Sequence, residues 1–284
     1  MQEARTVEID GRRVLGLAEY GDPKGRPVLY FHGGLSSRLD ARPADAAFRQ
    51  RAIRLLSVDR PGIGLSDPMP GRRLLDWPKD IERLLDALGI ATADVIGWSG
   101  GAPHALACAA ALPERVRTVV TIGALVPVDK PGRVKEIKLL ADRILFPLSR
   151  HAPLLAACVM QAIRLGGRHL LLRSLLRSLP SAADRALVSS GSLAEATDFF
   201  FEAMRQGASG IVADYVVMGA PWGFSPADVS RPVHVVQGAE DDILPRHLGI
   251  ELAEALPNGT FHLLDGAGHY AFHRRPAAVL AFLE

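Results

Sequence analysis

The sequence predicts an α/β protein: a mostly parallel central sheet with helices on both faces, interrupted after its sixth strand by a block of helices. Three observations predict it. Short apolar runs alternate with amphipathic or alanine-rich stretches from Pro27 to Leu125 and again beyond Pro232, the rhythm of βα units joined by right-handed crossovers. Between about Asp129 and Pro221 that rhythm stops and the pattern is helical. Each polar cluster falls just past the end of an apolar run, the edge at which open parallel sheets bind ligands.

TVEIDGRRVLGLAEYG alternates apolar and polar residues about Asp10-Gly11, which specifies a two-stranded hairpin. PVLYFHGG and AIRLLSVDRPG are continuous apolar runs ending in turn residues, as expected of strands buried on both faces. RLDARPADAAFRQR between them reads as a helix. LLDWPKDIERLLDALGI places Ile81, Leu84, Leu85 and Leu88 on one helix face, and Gly89 stops it. ADVIGWSG is a strand, GAPHALACAAALPERV a helix of small residues suited to packing on a sheet, and VRTVVTIGAL the sixth strand. After the helical block, PVHVVQG and GTFHLLDGAG read as strands, RHLGIELAEALP and HYAFHRRPAAVLAFLE as helices. The domain reading is a core in two parts, 1–126 and 223–284, around a helical insertion at 127–222.

The chain has 284 residues, 48% of them hydrophobic, which is ample for a sizeable core. A net charge of +2 gives no whole-chain attraction to nucleic acid. Cys108 and Cys158 sit among alanines and leucines and are expected to be buried free thiols of a reducing compartment. Neither has the spacing of a metal site or a CxxC motif, so no metal is expected. MQEARTVEIDGRR has no apolar h-region, and no apolar run reaches the ~18 residues of a membrane span. These features predict a cytoplasmic protein without membrane insertion.

Four polar signals carry the chemistry. In VIGWSGGAPHALA, Ser99 stands between glycines at a strand-to-helix junction, the G-x-S-x-G pattern that pushes one hydroxyl outward; the alternative is a helix N-cap. In FHGGLSS, backbone N–H groups free of side-chain bulk can face a developing oxyanion; Gly34 is the preferred donor, paired with Gly100, and Gly33 stays open because the register is ambiguous by one. In QGAEDDILP, Asp241 and Asp242 compete, with Glu240 behind them, as the carboxylate that orients an imidazole. In DGAGHYAFHRRP, His269 follows a strand and a Gly-x-Gly turn and suits a general base near neutral pH. His273 is expected to be exposed or structural; His32, His104, His234 and His262 are expected to be packing residues.

The order Ser99, acid, His269 is that of α/β-hydrolases, and the chain resembles an α/β-hydrolase-fold enzyme over nearly its whole length. FHGG resembles that family's oxyanion loop, SVDRPGIGLSDP its D-x-R/P-G-x-G-x-S signature, GWSGG its nucleophile elbow and GAGH its histidine loop. The resemblance implies that the acid lies three residues after a glycine and four before a proline; Gly238 and Pro245 then select Asp241. It also implies that the helical insertion is a cap over the active site. Two departures narrow the activity. Leu35 follows the glycines where proline iminopeptidases carry Pro-Gly, and Ser99 stands where haloalkane dehalogenases and epoxide hydrolases carry aspartate.

The expected function is therefore a serine esterase that acts on a small to medium apolar substrate through an acyl-enzyme and uses no cofactor. The same triad acting on a thioester, lactone, amide or carbon–carbon bond, or a non-catalytic binding protein on the same fold, is the alternative. Trp98 and Leu35 are the candidate substrate contacts, although Trp98 is equally suited to packing. The stretch from Lys130 to Arg177 carries ten Lys/Arg against Glu136 and Asp142, a local excess of eight. That excess reads either as a solvated helix face or as a basic face for anionic substrates or an anionic lipid surface. The assembly is expected to be a monomer or a homodimer.

Overall fold

A computed structural model describes residues 2–179, 181–187 and 193–283. β1 (Gln2–Glu8) and β2 (Val14–Gly21) form the expected hairpin, with Gly11 in the left-handed region (φ 73°) at its turn. β3 (Arg26–Phe31), α1 (Asp45–Gln50), β4 (Ile53–Val58), α2 (Trp77–Ala87), β5 (Ala93–Trp98), α3 (Ala102–Ala111) and β6 (Val116–Ile122) follow as alternating βα units. The helical insertion comprises α4 (Arg133–Glu136), α5 (Leu140–His151), α6 (Pro153–Leu165), α7 (Gly167–Ser178), α8 (Ala182–Leu187), α9 (Leu193–Ala203) and α10 (Ser209–Gly219). β7 (Val233–Gly238), α11 (Arg246–Ala255), β8 (Gly259–Leu264), α12 (Ala271–Arg274) and α13 (Pro276–Leu280) complete the core.

The strands form one eight-stranded sheet in the order β1-β2-β4-β3-β5-β6-β7-β8. All neighbours from β4 onward are parallel; β2 is antiparallel to both β1 and β4. The period-two pleat divides the core into two layers. Leu29, Phe31 and Val95 face α2, α3 and the insertion, whereas Val28, Tyr30 and Ile96 face the layer holding Phe48 of α1 and Phe272 of α12. All the apolar side chains of β3, β4 and β5 are buried, which explains why these strands read as continuous apolar runs.

Three details depart from the sequence reading. The segment after β3 is not one helix: Arg38–Ala44 is a 3₁₀ turn containing Pro43, and α1 begins only at Asp45. Proline lacks the N–H that a continuing helix needs. The C-terminal helix is likewise broken at Arg275, ahead of Pro276. Cys108 is buried as expected, but Cys158 is exposed, on the outer face of α6. Its apolar neighbours mark a helix that is greasy on the solvent side as well.

Candidate active site

Ser99 opens the turn between β5 and α3 with φ 52°, in the left-handed region that residues with a β-carbon rarely occupy. Such a conformation costs about 1–3 kcal/mol and persists only where surrounding structure enforces it. Here the enforcement is close helix–strand packing. A β-carbon on Gly97 would meet Ala102 Cα at 2.8 Å and Ala105 Cβ at 2.9 Å, and one on Gly101 would run into the Phe31 carbonyl. The result is a half-buried Ser99 at the sheet edge.

His269 lies in the loop after β8, 4% exposed, and its Nδ1–H donates to Asp241 Oδ2 at 2.9 Å. Asp241 is fixed from three further directions: Gln237 Nε2 donates to Oδ2 at 2.7 Å, and the Ile243 and Leu244 amides donate to Oδ1 at 2.9 and 3.0 Å. Asp242 and Glu240 point into solvent, so Asp241 is the carboxylate at the imidazole. Because Nδ1 donates to a carboxylate, Nε2 of the neutral ring is the nitrogen free to accept a proton. Among the described residues Ser99 Oγ makes no hydrogen bond, and the link to the imidazole is not closed in this state. Such links are often long before substrate binds.

Burial alone would depress the His269 imidazole; the charge and hydrogen bond of Asp241, then the charges of Asp184 and Asp142, outweigh it and raise it above its ordinary value. Sequence reasoning missed both of the latter carboxylates. Asp184, on α8 and 1% exposed, accepts the backbone N–H groups of His269 at 2.9 Å and Tyr270 at 3.1 Å. Burial lifts its carboxyl above the usual range. Asp142, on α5, accepts the Tyr215 hydroxyl at 2.5 Å. Tyr215 in turn stands at the oxyanion loop: its Oη lies 3.1 Å from where a β-carbon on Gly34 would sit.

The Gly34 amide nitrogen is 3.0 Å from a β-carbon position on Gly100, so the two glycine backbones are adjacent at the elbow. Leu35 is held at φ 55° beside them, half-buried. Underneath the loop lies Arg60, of the SVDRPGIGLSDP segment and fully buried. Its guanidinium donates to the carbonyls of His32 at 2.5 Å and Gly33 at 2.9 Å. The Gly33 carbonyl and the Gly34 N–H belong to one peptide group, so a cation bound to the oxygen strengthens the N–H as a donor. Asp214 of α10 binds both Arg60 at 2.6 Å and Arg72 at 2.7 Å. Burial would raise Asp214, but the two guanidinium charges hold it well below the usual carboxylate range. Two cations against one anion leave a net positive charge buried beneath the loop.

His32 is kept neutral by burial and by Arg60, and its Nδ1 contacts the Gly33 carbonyl at 2.9 Å. His104 is fully buried beside the Gly100 carbonyl, 3.0 Å away, and His234 and His262 contact each other, so these four are packing residues as expected. His273 is structural too, with its ring 4.7 Å from that of Trp98.

Trp98 is corrected as a substrate contact. The indole, 3% exposed, lies in the layer with Ile96 and Phe272, on the side of the sheet away from the insertion. Its Nε1–H donates to the His269 carbonyl at 3.1 Å, so it supports the histidine loop from behind. Gly123, at the end of β6, was also not foreseen. It has φ 49°, and a β-carbon there would sit 2.8 Å from His269 Nδ1 and 3.0 Å from Asp241 Oδ2. Among the described residues no group of three or more His, Cys, Asp or Glu is placed to hold a metal ion. No helix of the described residues is long and apolar enough to cross a membrane.

Comparison with known proteins bears on the fold. Residues 26–153 match the alpha/beta hydrolase fold family. The chain is 32% identical over 142 residues, about half the length of each chain, to the uncharacterized hydrolase YcgS of Bacillus subtilis strain 168. It is 28% identical to the 2-(acetamidomethylene)succinate hydrolase of Mesorhizobium japonicum, over 98% of this chain and 92% of that one. Among solved structures, an esterase, RhEst1, from Rhodococcus sp. ECU1013 superposes with a TM-score of 0.71 at 20% identity, covering 99% of this chain and 97% of the other, which shows a shared fold.

Proposed function

We propose that this chain, whose residues 26–153 match the alpha/beta hydrolase fold family, is a serine hydrolase cleaving a carboxylic ester of a small to medium apolar substrate through an acyl-enzyme at Ser99. One observation carries the reading: a serine forced into left-handed backbone at the end of β5, on the same sheet whose later strand ends carry a buried imidazole tied through Nδ1 to Asp241 at 2.9 Å.

Ser99 Oγ attacks the ester carbonyl while His269 Nε2 takes its proton, and Asp241 holds the tautomer and stabilises the imidazolium. The N–H groups of Gly34 and Gly100 receive the oxyanion, each worth about 3 kcal/mol. The imidazolium returns the proton to the departing alkoxide. Water, deprotonated by His269, then attacks the acyl-enzyme; the acid leaves and Ser99 recovers its hydrogen. Leu35 and Met218, whose sulfur lies 2.7 Å from a β-carbon position on Gly100, supply an apolar wall, with Phe146 packed behind on Tyr215 at 5.0 Å between ring centroids. Asp142 with Tyr215 adds one polar point beside the carbonyl.

The test is turnover of p-nitrophenyl butyrate. Ser99→Ala should lose at least ~10⁴-fold in kcat and lose labelling by a fluorophosphonate; full activity in Ser99→Ala would sink the reading. A folded wild-type protein that neither turns over esters nor labels would instead be a binding protein. A second reading, favoured by the acetamido group in the name of the Mesorhizobium relative, has the same side chains cleave an amide. A higher kcat/KM on matched acetamides than on acetates would select it.

A further inference from the structure

Seven of the nine large hydrophobic residues exposed among the described residues lie between Leu140 and Leu170. They are not scattered. On α6, Leu154, Leu155, Cys158, Val159, Ala162 and Leu165 are all exposed, at the spacing of one helix face about 17 Å long. Leu154 is 83% exposed and Leu165 78%. The opposite face of the same helix buries Ala156 and Met160. On α5, Leu140 and Ile144 are exposed while Leu145 and Phe146 are buried. Both helices pack on α10 and on each other, so their outer faces turn away from the body of the protein together. A contiguous apolar surface of this kind marks an interaction site rather than ordinary solvent-facing scatter.

The charges around it have one sign. Arg143, Arg150 and Arg164 stand on α5 and α6, and none has a carboxylate partner among the described residues. Three other arginines of the insertion are paired with carboxylates: Arg133 with Glu136 and Glu251, Arg168 with Asp198, and Arg205 with Glu202. The acid of α5, Asp142, is turned inward onto Tyr215. The outer face therefore presents leucines flanked by uncompensated arginines. A second copy of the chain would bring like charge against like charge, whereas an anionic bilayer satisfies both features at once: acyl chains for the leucines, phosphates for the guanidinium groups.

We propose that the outer face of α5 and α6 docks this protein on the surface of an anionic lipid bilayer, lying in the interface without spanning it. The proposal is independent of the bond the active site cleaves.

The full chain is mixed with vesicles of phosphatidylcholine, alone or with about one third phosphatidylglycerol, and bound protein is measured by flotation. Wild type should float with the anionic vesicles, and less so in high salt. The double variant Leu154→Asp/Leu155→Asp should lose at least ~10-fold in vesicle affinity. Arg150→Gln and Arg164→Gln should each lose about fivefold on anionic vesicles and nothing on phosphatidylcholine alone. All should keep wild-type turnover of a soluble ester without vesicles, since none touches the site; the arginine variants retain the test even if the aspartates perturb folding. Failure of the wild type to float, or variants that float as well as it does, would overturn the proposal. So would a dimer, seen by sedimentation without lipid, that Leu154→Asp/Leu155→Asp dissociates: the face would then be a contact between copies.

Discussion

Replacing Asp184 separates two things that one carboxylate does for His269. It accepts two backbone N–H groups of the histidine loop, at 2.9 and 3.1 Å, and its charge raises the imidazole. Hydrogen bonds to an ionised acceptor contribute about 1.5–3 kcal/mol each. Asp184→Ala removes both and should cost about 3–6 kcal/mol. Asp184→Asn keeps one neutral acceptor and should cost about 2–3 kcal/mol, lowering Tm by roughly 5 °C for a chain of this size. The electrostatic effect has a definite sign. A carboxylate near an imidazole favours the protonated ring, and the general base works only when deprotonated. In the wild type the acid limb of kcat/KM should therefore sit above the ordinary histidine value of 6.5. In Asp184→Asn it should move down, so the variant keeps a larger share of its own maximal rate at low pH even as that maximum falls. The assay is a pH series of ester turnover with thermal melts alongside. An acid limb that stays in place, or moves up, would refute a charge role for Asp184; an unchanged Tm would refute the anchoring role.

Other substitutions test neighbouring parts of the site. Arg60→Met removes the cation on the Gly33 carbonyl and should lower kcat by about 10–100-fold with little change in KM; it should also destabilise the fold, because Asp214 keeps only Arg72. Gly123→Ala should cost at least ~100-fold in kcat/KM, since its methyl group must displace the imidazole from Asp241; wild-type turnover would show that the loop gives way freely. Asp40, 1% exposed, is pushed up by burial from the ordinary carboxylate value of 3.8 to about 7. A folded value above the unfolded one means its stability contribution is complete below about pH 4 and is lost as pH rises through about 7. Asp40→Asn should thus gain up to about 4 kcal/mol over wild type at pH 8 and nothing at pH 4; parallel denaturation midpoints across that range would refute this.

Much of the site was legible because it is built from local devices. The elbow at Ser99, the Gly-x-Gly turn before His269 and the strand ends that carry them each need particular residues within a few positions, and such needs are written in the chain. The residues alone left Asp241 and Asp242 open; only the resemblance, through the positions of Gly238 and Pro245, favoured Asp241, and the geometry pairs that residue with the imidazole. Asp184 left no such trace, because it meets His269 across 85 positions and its own helix has only 6 residues. Arg60 was visible as part of a signature, but not as the support of a peptide group that lies 27 positions earlier. The side of the sheet taken by Trp98 was open to inference from the pleat, since Ile96, two residues before it, belongs to the layer opposite the insertion. Cys158 misled for a physical reason: hydrophobicity reads as burial unless something outside the chain supplies the cover.

Asp214 sits on the insertion, yet its charge is spent inside the core, on Arg60 and Arg72. Exchanging the helices between β6 and β7 for those of a relative is therefore no neutral graft. A chimera without an aspartate at that point would strand two guanidinium groups in a dry interior, and the core would open before any new specificity could be measured. Whoever transplants the roof of this protein must carry its counterion along.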